Sequence, residues 1–384
     1  MPLVTQEIYL HIGIKKTGTS AIQFFLSTNR QRLLNYHNIV YPELEKDRHA
    51  HHGLALPYVS AHKRKGSPPK IFFRDLISYF EKYPKKTFLL SSEAFASSED
   101  IQKLKDNLEA LNIFPKIIVY LRRQDYWLES RYNQDIKSGD KKNFTDFCSE
   151  QQVDWFRLLQ KWEQVFGREN LIIKVYENQQ MPQGLIADFL QILGITEIDG
   201  FEVPSAKRNI SLDLDLLELK RLANMMNYSI ELSVLNKINE KLQCFSQNRY
   251  LFSLEERQKI IKKYADSNSQ VAKKYLGRKK LFYEDALKSE NQYKHYSGLV
   301  LEKVVVIFLL IMQKQSSQKQ SSQKQSQKQS SQKQSSQKQY QQQIQEQQRK
   351  VKRYKKKLRR SRRLSMVFAG LFLLQSLIIL YLLL

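Results

Sequence analysis

Two short runs in this 384-residue chain carry residue types suited to gripping anions. The first, "HIGIKKTGTS" at 11–20, sets Gly13 and Gly18 at the G-x-x-x-x-G spacing of a phosphate-binding loop. A triphosphate loop would follow its second glycine with lysine. Here Thr19 stands in that place, and the lysines fall inside the turn as Lys15 and Lys16. Backbone N–H groups of such a turn, leading into a helix N-terminus, cradle an anion of any kind, and Thr19 and Ser20 add hydroxyl donors. The second run, "VYLRRQDYWLESRYNQ" at 119–134, puts Arg122 just past a strand end and Ser130 eight residues on, along the following helix. Arginine offers a fork of donors to a phosphate monoester, and serine adds one more.

The surrounding elements must hold these two runs at one edge. Ile8–Ile12 reads as a strand entering the loop, and Ala21, Ile22, Phe25 and Leu26 recur at helical spacing after it. Phe88–Leu90, Ile117–Leu121 and Leu171–Tyr176 read as buried parallel strands. Between the last two, Trp155, Leu158, Leu159, Trp162, Val165 and Phe166 form a helix stripe suited to a core. Strands alternating with helices predict an α/β fold, a three-layer sandwich around a mostly parallel sheet of the P-loop nucleotide-binding kind, over residues 1–290. Ligands of such sheets sit beyond the carboxyl ends of the strands.

Together the two runs resemble the PAPS-dependent sulfotransferase family, in its bacterial carbohydrate-type branch. The resemblance rests on His11, Gly13, Lys16, Thr17, Gly18, Thr19, Ser20, Ile22 and Gln23 in the first run. In the second it rests on Leu121, Arg122, Arg123, Gln124, Asp125, Ser130, Tyr132, Asn133 and Gln134. Weaker echoes at 89–95, 166–177 and 208–227 extend it over about residues 7–285. It implies that Gly13, Lys15, Lys16, Thr17, Gly18, Thr19 and Ser20 hold the 5′-phosphosulfate of 3′-phosphoadenosine 5′-phosphosulfate (PAPS), and that Arg122 and Ser130 hold its 3′-phosphate. Arg208 and Ser211 would add nucleotide contacts. Lys16 would stabilise charge on the bridging oxygen as the sulfuryl group leaves. Glu93, just past the Phe88–Leu90 strand, would take the acceptor's proton, its pKa raised by apolar neighbours. His51 and His52 are rival bases in this reading, and no metal is expected. A metal site at His49, His51 and His52 has no cysteine or paired carboxylate to complete it.

Charge and composition divide the rest. Residues 313–364 hold 17 lysines and arginines against the single acid Glu346, so +16 of the net +25 lies there and +9 is left for the remainder. A moderate excess in the folded part suits a polyanionic ligand. Cys148 and Cys244 are too few for a disulfide framework and read as reduced thiols. No secretory signal precedes the first strand, so the folded part is expected on the cytoplasmic side. The apolar stretch 299–312, broken by Glu302 and Lys303, reads as a docked or an interfacial helix. The QKQSS repeats at 313–339 read as a solvated linker, spanning roughly 30 Å as a flexible chain. Ile344, Val351 and Leu358, spaced by seven, suggest a short coiled coil within 340–363 and with it a weak homodimer. Residues 364–384 carry no charge and are long enough to span a bilayer, as a C-terminal tail anchor. The basic flank before them marks the cytoplasmic side and suits anionic lipid. The partners expected are thus a glycan or glycolipid acceptor and a membrane, with no nucleic acid. A P-loop kinase or nucleotide-triphosphate-binding protein, and a membrane-anchored scaffold without activity, are the competing classes.

Overall fold

The computed structural model describes residues 6–44, 49–60, 73–203, 211–242, 249–283, 294–312, 339, 341–350 and 352–353. The chain divides into two compact units, Met1–Ile307 and Phe308–Leu384.

The first unit is α/β. Five strands, β1 (Gln6–His11), β2 (Ile39–Val40), β3 (Thr87–Ser91), β4 (Ile113–Leu121) and β5 (Leu171–Val175), form one sheet in the order β2-β3-β1-β4-β5. Every neighbouring pair in it is parallel. Strand β1 lies between β3 and β4, so the connection from β3 to β4 must cross it. That reversal opens a crevice at the carboxyl end of β1, where the glycine loop begins.

Strand periodicity decides which side chains meet which layer. Tyr9, Leu89, Ile118 and Tyr120 face helices α1 (Thr19–Thr28), α2 (Arg30–His37) and a later helix, Leu185–Ile192. Ile22, Phe25 and Leu26 of α1 fill this layer with Leu33, Phe189 and Leu190. Each such side chain taken from water is worth about 1.5–3 kcal/mol, which exceeds any propensity difference along so short a helix. Ala21 departs from the expected apolar face: it is exposed, and Gln23 is buried instead. The turn of α1 that seats Ile22 carries position 23 toward the end of β3, where its amide finds polar partners. On the other face of the sheet, α3 (Ile101–Glu109) packs on β4 and the tryptophan-bearing helix α5 (Trp155–Phe166) packs on β5. Between them in sequence comes α4 (Gln124–Lys137), which starts three residues past β4. Four further helices are α6 (Leu185–Ile192), α7 (Leu214–Met225), α8 (Leu254–Lys263) and α9 (Ala265–Leu276).

Pro115 sits inside β4, a position that normally argues against a central strand. It falls before Ile117, where β5 begins to pair, so among the described residues β4 has no strand on that side there.

The stretch at 299–312 is helical from 301. Within the first unit, Lys303 Nζ lies 2.8 Å from Asp213 Oδ2 and 3.3 Å from Asp215 Oδ2, and the Val300 N–H donates to Asp215 Oδ1 at 3.2 Å. Ile307 is buried. The lysine that interrupts the apolar run therefore docks its start on the N-terminus of α7.

In the second unit, residues 341–350 are helical, with Glu346 and Lys350 paired one turn apart at 2.8 Å. Ile344 is exposed on this helix, and Val351 and Leu358 lie outside the described residues. Among the described residues no helix is long and apolar enough to cross a membrane. The anchor expected at 364–384, the linker at 313–338, Cys244 and Arg208 also lie outside the described residues. Burial, with the carboxylates of Glu129 and Glu256, pushes the Cys148 thiol up to about 12, so it stays protonated at neutral pH.

Candidate functional site

The loop after β1 turns by left-handed backbone at Gly13 (φ 45°), Lys16 (φ 68°) and Gly18 (φ 78°). Such turns aim successive N–H groups into one concavity. The glycines are there for space as well as for φ. A Cβ at Gly18 would sit 2.2 Å from Leu185 Cδ2 and 3.0 Å from Tyr176 Cε2, and one at Gly13 would sit 2.8 Å from Thr19 Cγ2. Gly18 is also the N-cap of α1 and supplies no side-chain cap, and the first turn of α1 holds no acid. The helix end thus keeps its partial positive charge turned toward the loop.

Lys16, a lysine in left-handed backbone, costs about 1–2 kcal/mol and needs neighbours that enforce it. They come from the second run. Arg122 Nη1 donates to the Lys16 carbonyl at 2.8 Å, and Trp127 Nε1 donates to the Lys15 carbonyl at 2.8 Å. From within the loop, Thr17 Oγ1 donates to the Ile14 carbonyl at 2.6 Å and Thr19 Oγ1 to the same oxygen at 3.2 Å. The Thr17 and Thr19 hydroxyls are buried and hold the turn shut, rather than opening into the cradle as expected for Thr19. Ser20 and Lys15 are exposed.

Arg122 itself is held by geometry: its guanidinium lies 5.4 Å over the Tyr176 ring, and Trp155 Nε1 binds its carbonyl at 2.8 Å. Apart from the bond to Lys16, its N–H groups have no partner among the described residues. Ser130, two turns along α4, is partly exposed, and its hydroxyl makes no hydrogen bond among the described residues. Around these two the charge is lopsided. Burial, and then Arg122 and Arg131, lower the pKa of Lys16, with Asp135 opposing them. Burial also pulls Arg122 down. A lysine depressed by burial and by neighbouring arginines marks a place that an anion would stabilise.

The second arginine of the run has a different task. Arg123 Nε and Nη2 bind the two oxygens of Asp125 at 2.8 and 2.9 Å. Arg257 of α8 reaches Asp125 from the other side and Glu129 at 2.8 Å. Asn133 exchanges hydrogen bonds with the backbone of Leu212, both at 3.3 Å, and Asn239 Nδ2 holds the Ser211 carbonyl at 3.0 Å. Several residues of the run therefore fix α4 and the chain after 210, while Arg122 and Trp127 bond the glycine loop. Arg208, expected beside Arg122 and Ser130, lies outside the described residues.

The third group gathers at the carboxyl end of β3. Glu93 is 24 % exposed and accepts from Gln23 Nε2 at 3.1 Å, while His52 Nε2 stands 3.9 Å from its other oxygen. Its neighbours are polar, not the apolar ones expected. Nor does it cap the short turn at Phe95–Ser97, where Ala94 N instead finds Ser92 Oγ at 3.1 Å. The same Gln23 amide reaches Ser91 Oγ at 3.2 Å, and Ser91 Oγ lies 2.9 Å from Nδ1 of the fully buried His11. Burial lowers the His11 pKa to about 3, so it is neutral, and its Nε2 has no hydrogen-bond partner among the described residues.

The three expected histidines separate. His51 is buried with both nitrogens engaged: the Ser91 N–H donates to Nδ1 at 3.0 Å, so Nε2 carries the proton given to the Pro42 carbonyl at 2.8 Å. Burial lowers its pKa to about 4. This corrects the expectation for His51, which has no lone pair left for a substrate and instead latches residue 42 to β3. His49 turns to Ser27 Oγ at 2.6 Å, and His52 Nδ1 to Ser92 Oγ at 2.7 Å. With three different directions they make no common site, and no group of three metal-ligating side chains stands together among the described residues. The crevice at the carboxyl ends of β1, β3 and β4 thus carries Lys16, Arg122 and Glu93 on its three strand exits.

The structure adds Arg131, Lys137 and Trp127, and a bonding role for Gln23, to the residues expected from the two runs. Lys137 follows Ser130 by seven residues on one helix, so its place on the same face was readable. Trp127 and Gln23 act through backbone and side-chain bonds that only the fold reveals.

No protein-family model matches the chain. A protein of Archaeoglobus fulgidus described only as uncharacterized is 30% identical over 240 residues, covering 56% of this chain and 62% of that protein. The chain therefore spans less than two thirds of that relative's length. Among solved structures, a sulfotransferase from Alicyclobacillus acidocaldarius is similar with TM-score 0.35 and 16% identity, over 59% of this chain and 98% of that one. Mouse sulfotransferase SULT7A1 complexed with PAP is similar with TM-score 0.32 and 12% identity, over 71% of this chain and 89% of that one.

Proposed function

We propose that this chain is a PAPS-dependent sulfotransferase that moves a sulfuryl group to a hydroxyl of a glycan or glycolipid by in-line displacement. The observation that carries the reading is the bond from Arg122 Nη1 to the Lys16 carbonyl, which sets two cation-bearing anion sites side by side at one strand edge. A nucleotide with a 5′-phosphosulfate and a separate 3′-phosphate requires two such sites, and a Mg²⁺-nucleotide loop would place its lysine after Gly18 instead. Bound PAPS supplies an activated sulfuryl group. The loop N–H groups at 13–20 and the N-terminus of α1 hold the 5′ end, and Arg122 with Ser130 holds the 3′-phosphate. Lys16 stabilises the negative charge that grows on the bridging oxygen as the S–O bond to the 5′-phosphate breaks. Glu93 takes the proton of the acceptor hydroxyl as the new S–O bond forms.

His52 assists Glu93 in this reading. Ser92 Oγ already accepts the Ala94 N–H, so its own hydrogen is available to His52 Nδ1. Nε2 then carries the imidazole proton and presents it to the Glu93 carboxylate, whereas a lone pair there would face negative charge. Glu93 is the base, and His52 and Gln23 hold it.

The membrane belongs to the same proposal. Residues 364–384 anchor the chain, the basic flank 349–363 contacts anionic lipid, and the catalytic unit works on the cytoplasmic side. Flotation of the full chain with anionic liposomes, lost on deletion of 364–384, is the expected result; unchanged flotation overturns the anchor.

Calorimetric titration of the full chain with adenosine 3′,5′-bisphosphate (PAP) and with Mg²⁺-ATP tests the co-substrate. PAP binding is expected, weakened about 10-fold or more by Arg122→Ala or Lys16→Ala, since each removes a charge-assisted hydrogen bond. Absence of PAP binding, or tighter binding of Mg²⁺-ATP, sinks the reading.

A further inference from the structure

We infer that Ser91, backed by His11, is a positioning residue for Glu93: it fixes the Gln23 amide so that an N–H, and not the amide oxygen, faces the carboxylate. This role rests on Glu93 being the base, as proposed above, and adds two fully buried side chains behind it.

The register of the sheet puts the pair together. His11 ends β1 and stands opposite Ser91 at the end of β3, so both side chains emerge on the face that carries Tyr9 and Leu89. Helix α1 covers that face and brings Gln23 down onto the same spot. His11 and Ser91 are 0% exposed and Gln23 4%, so bulk water does not compete for their hydrogen bonds. Gln23 Nε2 donates to Ser91 Oγ at 3.2 Å and to Glu93 Oε2 at 3.1 Å, and Ser91 Oγ lies 2.9 Å from His11 Nδ1.

The hydrogens available set the direction of this chain. Both hydrogens of the Gln23 amide are used, one on each oxygen. Ser91 Oγ therefore accepts, and its own hydrogen has one acceptor among the described residues, His11 Nδ1. Nδ1 then carries a lone pair and Nε2 the ring proton, which leaves one buried hydrogen without a partner. The opposite tautomer leaves the serine hydrogen and the Nε2 lone pair both unsatisfied, and is the worse of the two. Burial keeps the ring neutral, as this arrangement requires, since a protonated Nδ1 would leave the serine hydrogen no acceptor. The ring is held edge to face against Phe189 at 5.3 Å and Tyr120 at 6.3 Å between centroids.

The donors thus run one way, from Gln23 to Ser91 to His11. Without the Ser91 oxygen, one N–H of Gln23 has no acceptor, and the amide is free to flip and set its oxygen against the Glu93 carboxylate. Ser91 makes that flip unfavourable, because the flipped amide would leave the Ser91 oxygen without its donor.

The experiment follows PAP release from PAPS by the full chain, with octyl glucoside as the hydroxyl acceptor, in a double-substitution cycle with Glu93→Gln. Ser91→Ala is expected to lower kcat about 10-fold and to leave PAP affinity within about twofold. In the Glu93→Gln background the same change should cost less than about twofold, because Ser91 acts only through that carboxylate. Ser91→Thr, which keeps the hydroxyl, should restore most of the rate. His11→Phe, which keeps a ring and removes the acceptor, should reproduce part of the loss and lose its effect in Glu93→Gln; it decides the matter where Ser91→Ala does not fold. An unchanged kcat in these variants, or an equal loss with and without Glu93, overturns the positioning role and leaves the base reading intact. A Glu93→Gln chain that keeps its rate, or a native chain that releases no PAP, overturns both.

Discussion

Glu93→Gln is expected to lower kcat about 10²–10⁴-fold, the usual loss when a positioned general base is removed, while PAP affinity stays within about twofold. The amide keeps the shape of the carboxyl and still accepts from Gln23, so the loss reports proton transfer and not collapse of the pocket. Steady-state sulfation of an accepted hydroxyl, with PAP titration alongside, reads both quantities. The two rival histidines give different results because the fold uses them differently. His52→Gln should cost about 10-fold in kcat under the proposed role, in which His52 acts on the acceptor only through the Glu93 carboxylate. His51→Asn should leave kcat of the folded protein unchanged and lower stability by about 1–3 kcal/mol, through buried partners left unsatisfied at Pro42 and Ser91. The assignment fails if Glu93→Gln keeps its rate and His52→Gln loses it; His52 is then the base.

This separation of roles marks where sequence stops informing. The strands at 8–12, 88–90, 117–121 and 171–176 were legible because buried parallel strands are continuous apolar runs. The loop was legible because its glycines answer steric demands that leave a spacing in the sequence. Three adjacent histidines, by contrast, have the same chemistry on paper. Their fates depend on which carbonyl, amide or hydroxyl each meets: Pro42 and Ser91 for His51, Ser92 and Glu93 for His52, Ser27 for His49. Those partners come from other elements, so no local pattern ranks them. The Thr19 hydroxyl illustrates the same limit from the opposite side. A hydroxyl at a helix start suits a cradle, yet here the Ile14 carbonyl needs a partner, and Thr17 and Thr19 both supply one.

Asp125→Ala should lower stability by about 3–5 kcal/mol, the cost of leaving buried charges without their partner. Arg257 is 1% exposed, Arg123 6% and Asp125 0%, so no water replaces the lost carboxylate. Burial pushes the Asp125 carboxyl up, and Arg123 with Arg257 outweighs it, so its pKa lies below the ordinary value in the folded chain. A depressed carboxylate stabilises the fold above its unfolded pKa and loses that contribution as pH falls through the folded one. Acid unfolding of the native chain should therefore show a component, below about pH 4, that Asp125→Ala lacks. Urea midpoints at pH 7 measure the main effect. The control is the Glu255–Lys259 pair at 2.7 Å on α8, whose side chains are 76% and 71% exposed; Lys259→Ala should leave the urea midpoint nearly unchanged. If the two substitutions cost the same, the buried network does not hold α4. If Asp125→Ala unfolds the chain outright, Asp125→Asn, which keeps an acceptor for Arg123, should recover part of the stability. The consequence reaches the crevice, because α4 carries Ser130 and begins two residues after Arg122. A chain with α4 loosened should lose PAP affinity along with stability, although Asp125 touches neither anion site.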